Sequence, residues 1–265
     1  MTEGTPSPEE RNPAARVAAR APRRGFRGRG SHAAAVNALG QRIVSGGLVS
    51  GQLIDLPRLE NELRFGRTAL REALKVLASK GLVDALQGTG TFVTERSAWN
   101  LLDPDLLRWH YETQPKQRFL DSLAEFRLAI EPTAAGYAAE RRSDADVGRM
   151  EIALTAMERS VGDAENFTEA DRSFHAAMLD ACGNEFFSQL EPIIEAALFT
   201  WIHSVRSTER WRREALSGHR LVLDAIRAGD NELATATTRS LLALARKQEP
   251  AATTTHPHQV GPTTA

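Results

Sequence analysis

GRTALREALKVLASKGLVDALQGTGTFVTE, residues 66–95, carries two periodicities side by side, and the point where one replaces the other decides the fold. From Gly66 to Gly81 the apolar residues Leu70, Ala73, Leu74 and Leu77 recur at helical spacing, and Gly81 suits the glycine that ends a helix. From Leu82 the pattern becomes that of a hairpin: strand to Leu86, glycine-rich turn from Gln87 to Gly90, strand from Thr91 to Thr94. The other face of the helix is basic. Arg67, Arg71 and Lys75 stand at i, i+4 and i+8 and form one stripe that begins at the helix N-terminus.

Working upstream, LPRLENELRF (56–65) places Leu59 and Leu63 four residues apart behind Pro57, which predicts a short helix. AAAVNALGQRIVSG (33–46) places Val36, Leu39 and Ile43 on one face and is stopped by Gly46-Gly47, which predicts another. Two short helices followed by one with a basic stripe make the helix-turn-helix pattern, whose last helix enters the DNA major groove. The hairpin directly behind it makes a winged helix. Gly88 and Gly90 let the wing backbone approach a phosphate or the minor groove. A hairpin there can equally be no more than a cap on the helices.

Charge agrees with this layout. Residues 1–97 hold 15 Lys and Arg against 9 Asp and Glu, and the remainder holds 18 against 25, so a basic front is joined to an acidic back. A basic front fits a polyanion partner, although a solvated surface produces the same count. A single cysteine, Cys182, excludes an internal disulfide and any CxxC metal or redox motif. The chain has no run of eighteen apolar residues and no signal-like start, so no membrane partner and a cytoplasmic location are expected.

Residues 1–31 are rich in Pro, Gly, Ala and Arg, and with 248–265 they read as disordered tails. Between them the expected domains are a winged helix-turn-helix over 32–97 and an all-α bundle over 98–247, giving a mainly α fold. Helices are expected near 105–112, 117–141, 144–161, 168–182, 184–207, 209–228 and 230–247.

These motifs carry a resemblance. GRTALREALKVLASKGLV followed by GTGTFV resembles the winged-helix domain of the GntR family of bacterial transcriptional regulators. RLAIEPTAAGYAAER, DRSFHAAMLDACGN and GHRLVLDAIRAGD resemble the helical sensing (FCD) domain of its FadR-type branch. The resemblance spans residues 34–247 and implies a homodimeric regulator on an operator in double-stranded DNA, answering to a small metabolite. Arg67, Thr68, Arg71, Gly88 and Gly90 match the positions that contact the operator, and Lys75 suits a phosphate. An arginine fork matches guanine O6 and N7. The usual serine before the first arginine is Gly66 here, which removes a hydroxyl N-cap, and IDLPRLENEL is shorter than usual.

In the second half, Asp171 and His175 stand at i and i+4 and point the same way from one helix. With His219 from a later helix they form a set that suits Zn²⁺ or a similar divalent ion. The resemblance implies an Asp and three His, but the fourth position falls near Leu241, and only His203 offers a substitute. Against a metal stand two plainer readings: Thr168-x-x-Asp171 as a capping box, and histidines that merely pack in a core.

Arg127 matches a position that takes an acidic effector's carboxylate, unless it only pairs with Glu131 one turn on, a contact worth about 0.2–0.5 kcal/mol. WNLLDPDLLRW with RLAIEPTAAGYAAER is most similar to the sugar-acid branch, particularly the galactonate-responsive repressors, and implies an effector such as galactonate or gluconate. The rival readings are a metal-dependent enzyme built on Asp171, His175 and His219, and a regulator answering to a fatty acyl thioester or an amino acid.

Overall fold

The computed structural model describes residues 30–113, 117–204 and 208–246, apart from the side chains of 199–204 and 245–246. The two tails therefore lie outside the described residues, except that Gly30 and Ser31 already belong to the start of the first helix. The chain divides into two compact units, one ending at Thr113 and the other starting at Gln114. No helix among the described residues is long and apolar enough to cross a membrane.

The first unit opens with α1 (Ser31–Val44), α2 (Leu56–Leu63) and α3 (Arg67–Ser79). Asp55 caps α2, its carboxylate accepting from the Arg58 N–H at 3.0 Å, and Pro57 sits in the first turn. Arg64 ends α2 with φ +60, the only left-handed non-glycine among the described residues, and so turns the chain into α3. Gly66 starts α3 with no side-chain cap, as its missing hydroxyl requires.

Strands β1 (Val83–Leu86) and β2 (Gly90–Val93) pair antiparallel, with Val83 opposite Val93 and Leu86 opposite Gly90. The hairpin is wider than its two strands. Ile54 N–H donates to Thr91 O at 2.8 Å and Val93 N–H to Gln52 O at 3.0 Å, so the segment before α2 lies along β2 as a third rung. Leu39, Leu59, Leu70, Ala73, Leu77, Leu82 and Val93 close one core beneath the helices and the hairpin.

Helix α4 (Pro104–Glu112) belongs to this core. The sequence boundary expected at 97/98 thus falls short of where the compact unit ends. The reason is Trp109, fully buried against α1, where Gly40 leaves room for the indole and a Cβ would overlap it. Asn37 accepts from Trp109 Nε1 at 3.2 Å and from Arg108 at 2.7 Å. Lys80, at the end of α3, reaches Asp103 and Asp105 at 2.8 Å each.

The second unit is an all-α bundle: α5 (Gln117–Arg141), α6 (Asp144–Arg159), α7 (Ala164–Ala181), α8 (Glu185–Ser188), α9 (Glu191–Ser204), α10 (Glu209–Ala228) and α11 (Asn231–Arg246). The expected helix 184–207 is therefore two, broken before Pro192. Helices α5 and α11 approach closely at Gly136, where a Cβ would stand 2.7 Å from Thr235 Oγ1. Phe167, Phe174, Met150, Met157, Met178 and Leu179 fill the centre. Helix α7 runs through this core, so any polar group on its inner face has to find partners there.

Candidate functional site

The basic face of α3 is presented to solvent. Arg67, Thr68, Arg71 and Lys75 are all exposed, whereas Leu70, Ala73, Leu74 and Leu77 are buried on the other side. Arg67 Nε lies 3.4 Å from Glu60 Oε1, and Lys75 Nζ lies 2.7 Å from Glu72 Oε1. Exposed pairs of this kind are worth at most about 1 kcal/mol, so both cations remain available to a stronger anion. Gly88 and Gly90, with φ +80 and +122, shape the exposed wing, and the space beside Gly88 is open.

The second site lies where α5, α7 and α10 meet. Helix α7 begins at Ala164 and is capped by Asp163, whose carboxylate accepts from the N–H groups of Glu165 and Asn166 at 3.1 Å. The capping-box reading of Thr168 and Asp171 is thereby corrected. Asp171 stands in the second turn, buried, with its carboxylate turned into the bundle.

There it meets both histidines. Asp171 Oδ1 lies 2.9 Å from His219 Nε2 and 3.2 Å from His175 Nε2, and the two Nε2 atoms are 3.3 Å apart. One ligand atom from each of the three residues falls within 4.8 Å of the others. His219 Nδ1 sits 2.8 Å from the Ala215 carbonyl, which fixes that nitrogen as an N–H and turns Nε2 towards Asp171. Asp171 Oδ1 is buried without any partner at hydrogen-bonding angles.

Arg127 and Glu131 enter the same cluster from α5. Arg127 donates through Nε to Glu131 Oε1 and through Nη2 to Oε2 at 3.3 Å, and the same Nη2 lies 3.4 Å from His175 Nε2. The intrahelical pair expected as the plain alternative does form, but in the interior rather than on the surface. Glu131 Oε2 also lies 2.7 Å from His175 Nδ1. Sequence reasoning passed over Glu131 except as a pairing partner. Its only signal was the i, i+4 spacing from Arg127, which reads the same on a wet face and in a core.

The charges in this cluster hold one another. Burial opposes ionisation of Glu131 and Asp171, but Arg127 and His175 bring Glu131 down to about 2, and the two histidines keep Asp171 well below the usual carboxylate range. Burial likewise acts to lower His175, yet Glu131 and Asp171 outweigh it and push the imidazole up to about 9. Leu241 is buried on α11 and touches the place of Gly218, one residue before His219: a Cβ there would stand 2.8 Å from Leu241 Cδ1. The His203 side chain lies outside the described residues.

Comparison with known proteins agrees with both halves. Residues 32–93 match the model of bacterial regulatory proteins, gntR family, and residues 122–244 match that of the FCD domain. The chain is 34% identical over 202 residues to the galactonate operon transcriptional repressor of Escherichia coli (strain K12), covering 74% of this chain and 86% of that one. It is 30% identical over 204 residues to the transcriptional regulator LutR of Bacillus subtilis (strain 168), covering 73% and 90%. A solved structure of Lar, described as controlling expression of the Listeria monocytogenes agr system, shares the fold at a TM-score of 0.57 and 20% identity, over 85% of this chain and all of that one.

Regulators of this kind bind DNA operators and small-molecule effectors, which overturns the rival reading of the buried cluster as the centre of a metal-dependent enzyme. The chain belongs to the GntR family of bacterial regulatory proteins, as a DNA-binding transcriptional regulator with an FCD domain.

Proposed function

We propose that the protein is a homodimeric repressor of a sugar-acid catabolic operon, released from its operator when the acid binds in the second unit. The first unit reads the operator, with Arg67, Thr68 and Arg71 of α3 in the major groove, Lys75 on a phosphate, and the wing at Gly88 and Gly90 against the backbone. The observation that carries the effector reading is the placing of Arg127 beside His175, inside the bundle, where His175 converges with Asp171 and His219. A guanidinium beside a three-residue ligand set suits a carboxylate flanked by hydroxyls.

The ligand set fits a divalent ion such as Zn²⁺. Its donors are one carboxylate and two imidazoles, its carboxylate oxygen is orphaned, and one imidazole is already anchored through its far nitrogen. Bound there, the ion supplies a Lewis-acidic anchor for carboxylate and hydroxyl oxygens. Arg127 orients the acid, and the enclosing apolar residues exclude water. The galactonate operon repressor among the relatives favours an aldonic acid such as galactonate or gluconate.

A thermal-shift screen of the purified chain against small carboxylic acids, with and without chelator, tests this. An acid at a hundred times its Kd adds about 2.7 kcal/mol and raises the melting temperature. The shift should vanish with chelator and in Asp171→Asn. If no aldonic acid shifts wild type in the presence of zinc, the sugar-acid reading fails.

A further inference from the structure

We infer that Glu131 sets the charge of the effector, holding the metal-loaded pocket to one net positive charge and so selecting a monocarboxylate over a dicarboxylate or a phosphorylated acid. This rests on the metal-and-acid reading above. Among the described residues of the second unit, Glu131 is a carboxylate with no exposed surface, and it is not one of the three residues that could ligate. Its two oxygens are committed elsewhere: both face Arg127, and Oε2 also faces His175 Nδ1 at 2.7 Å.

The sum of buried charge follows from these contacts. A divalent ion takes neutral imidazoles, so His175 and His219 add nothing. Arg127 adds one positive charge, and Asp171 and Glu131 remove one each. A single positive charge is left over. The other buried arginines among the described residues of this unit are occupied elsewhere: Arg172 by Glu169 and by Glu191 at 2.6 Å, Arg212 by the Val161 carbonyl at 2.6 Å.

An unmatched charge in a closed interior is costly, and a second unmatched charge of either sign is costlier. A monoanion neutralises the loaded pocket. A dianion overshoots it. Without the Glu131 carboxylate the pocket would hold two positive charges and would suit the dianion instead. Glu131 is therefore a specificity-determining residue that acts through charge without having to touch the ligand.

Calorimetric titration of the full chain with zinc, then with galactonate and galactarate, decides the matter, because the two acids share a six-carbon skeleton and differ by one carboxylate. Wild type should prefer galactonate by at least tenfold. Glu131→Gln should reduce that preference tenfold or more, or reverse it. The double variant Arg127→Met, Glu131→Gln removes one charge of each sign, leaves no buried arginine unpaired, and should recover the preference at weaker overall affinity. It serves also if the single variant does not fold.

An unchanged ratio in Glu131→Gln, or a double variant without the monoanion preference, overturns the inference while leaving the metal-and-acid reading standing. If zinc-loaded wild type takes neither acid, the sugar-acid reading fails, and zinc affinity alone then tests Glu131. A buried unit charge one imidazole ring away is worth on the order of ten- to a hundredfold in affinity, so equal zinc binding by Glu131→Gln and wild type would overturn the assignment. Wild type that binds no zinc overturns the metal reading and this inference together.

Discussion

Replacing Arg67 and Arg71 together with alanine separates DNA reading from everything else the chain does. Both side chains are exposed on α3, and Arg67, 57% exposed, meets no acid nearer than Glu60 Oε1 at 3.4 Å. Neither packs into the core, so the folded state should change by no more than about 0.5 kcal/mol. On the operator each arginine that forks onto a guanine is worth about 1–3 kcal/mol, so the pair is worth about 2–6 kcal/mol. In affinity that is a loss on the order of thirtyfold to ten-thousandfold.

The assay is a gel shift or anisotropy titration on a fragment selected by the wild-type protein, repeated across salt concentrations. If the arginines read bases, the loss persists at all salts and discrimination against altered fragments shrinks. If they only neutralise phosphate, the slope of log affinity against log salt falls by about 0.9 for each. Arg220→Ala, half-exposed beside Glu158 in the second unit, serves as the control and should leave operator binding alone. A double variant that binds the selected fragment with wild-type affinity and wild-type salt slope would refute the docking of α3 in the groove.

Two further predictions concern the first unit. Gly40→Ala should destabilise it despite the better helix propensity of alanine, because the new methyl overlaps the Trp109 indole: about 1–3 kcal/mol of overpacking against about 1 kcal/mol gained, read by denaturant melting. A variant more stable than wild type would show that Trp109 is free to move. Burial, helped by nearby Arg96, lowers the His110 imidazole from 6.5 to about 4, so its neutral form is the one the fold favours. Its contribution is complete above pH 6.5 and is lost as pH falls from 6.5 through 4, up to about 3 kcal/mol. The stability difference between wild type and His110→Gln should therefore change across that window, and parallel curves would sink the assignment.

What was legible in the sequence is what local chemistry decides. Glycines at 81, 88 and 90 punctuate α3 and the wing, and the period of Leu70, Ala73, Leu74 and Leu77 needs no partner to be read. What escaped needs the third dimension. The rung of Gln52 and Ile54 beside β2 is a pairing across many residues, and nothing in GQLID announces it. Trp109 is a bulky apolar residue that either neighbouring core could have used, and only the missing side chain at Gly40 hinted at which. The break before Pro192 did have a local signal, since proline favours the first turn of a helix. The start of α7 offered two caps, Asp163 and Thr168. The earlier one wins: Asp163 accepts from the N–H groups of Glu165 and Asn166, whereas the Thr168 hydroxyl donates back to the Ala164 carbonyl.

The composition of the buried cluster argues for binding independently of any resemblance. Arg127, Glu131, Asp171, His175 and His219 are each no more than 6% exposed, yet they lie in a bundle whose core is built mainly of apolar side chains such as Phe174, Met178, Leu179 and Ile226. Buried ion pairs seldom stabilise a fold relative to apolar residues of the same volume, and replacing such a set by well-packed hydrophobes is often neutral or favourable by about 1–4 kcal/mol. Stability therefore gives no reason for five ionisable groups on three helices to be aimed at one another. A ligand does. Leu241, buried on α11 beside Gly218, offers no donor atom, so under the proposed reading a metal held by the three protein donors would take its remaining ligands from the effector or from water. Metal and acid should consequently bind with positive linkage, each raising the affinity of the other by the same factor.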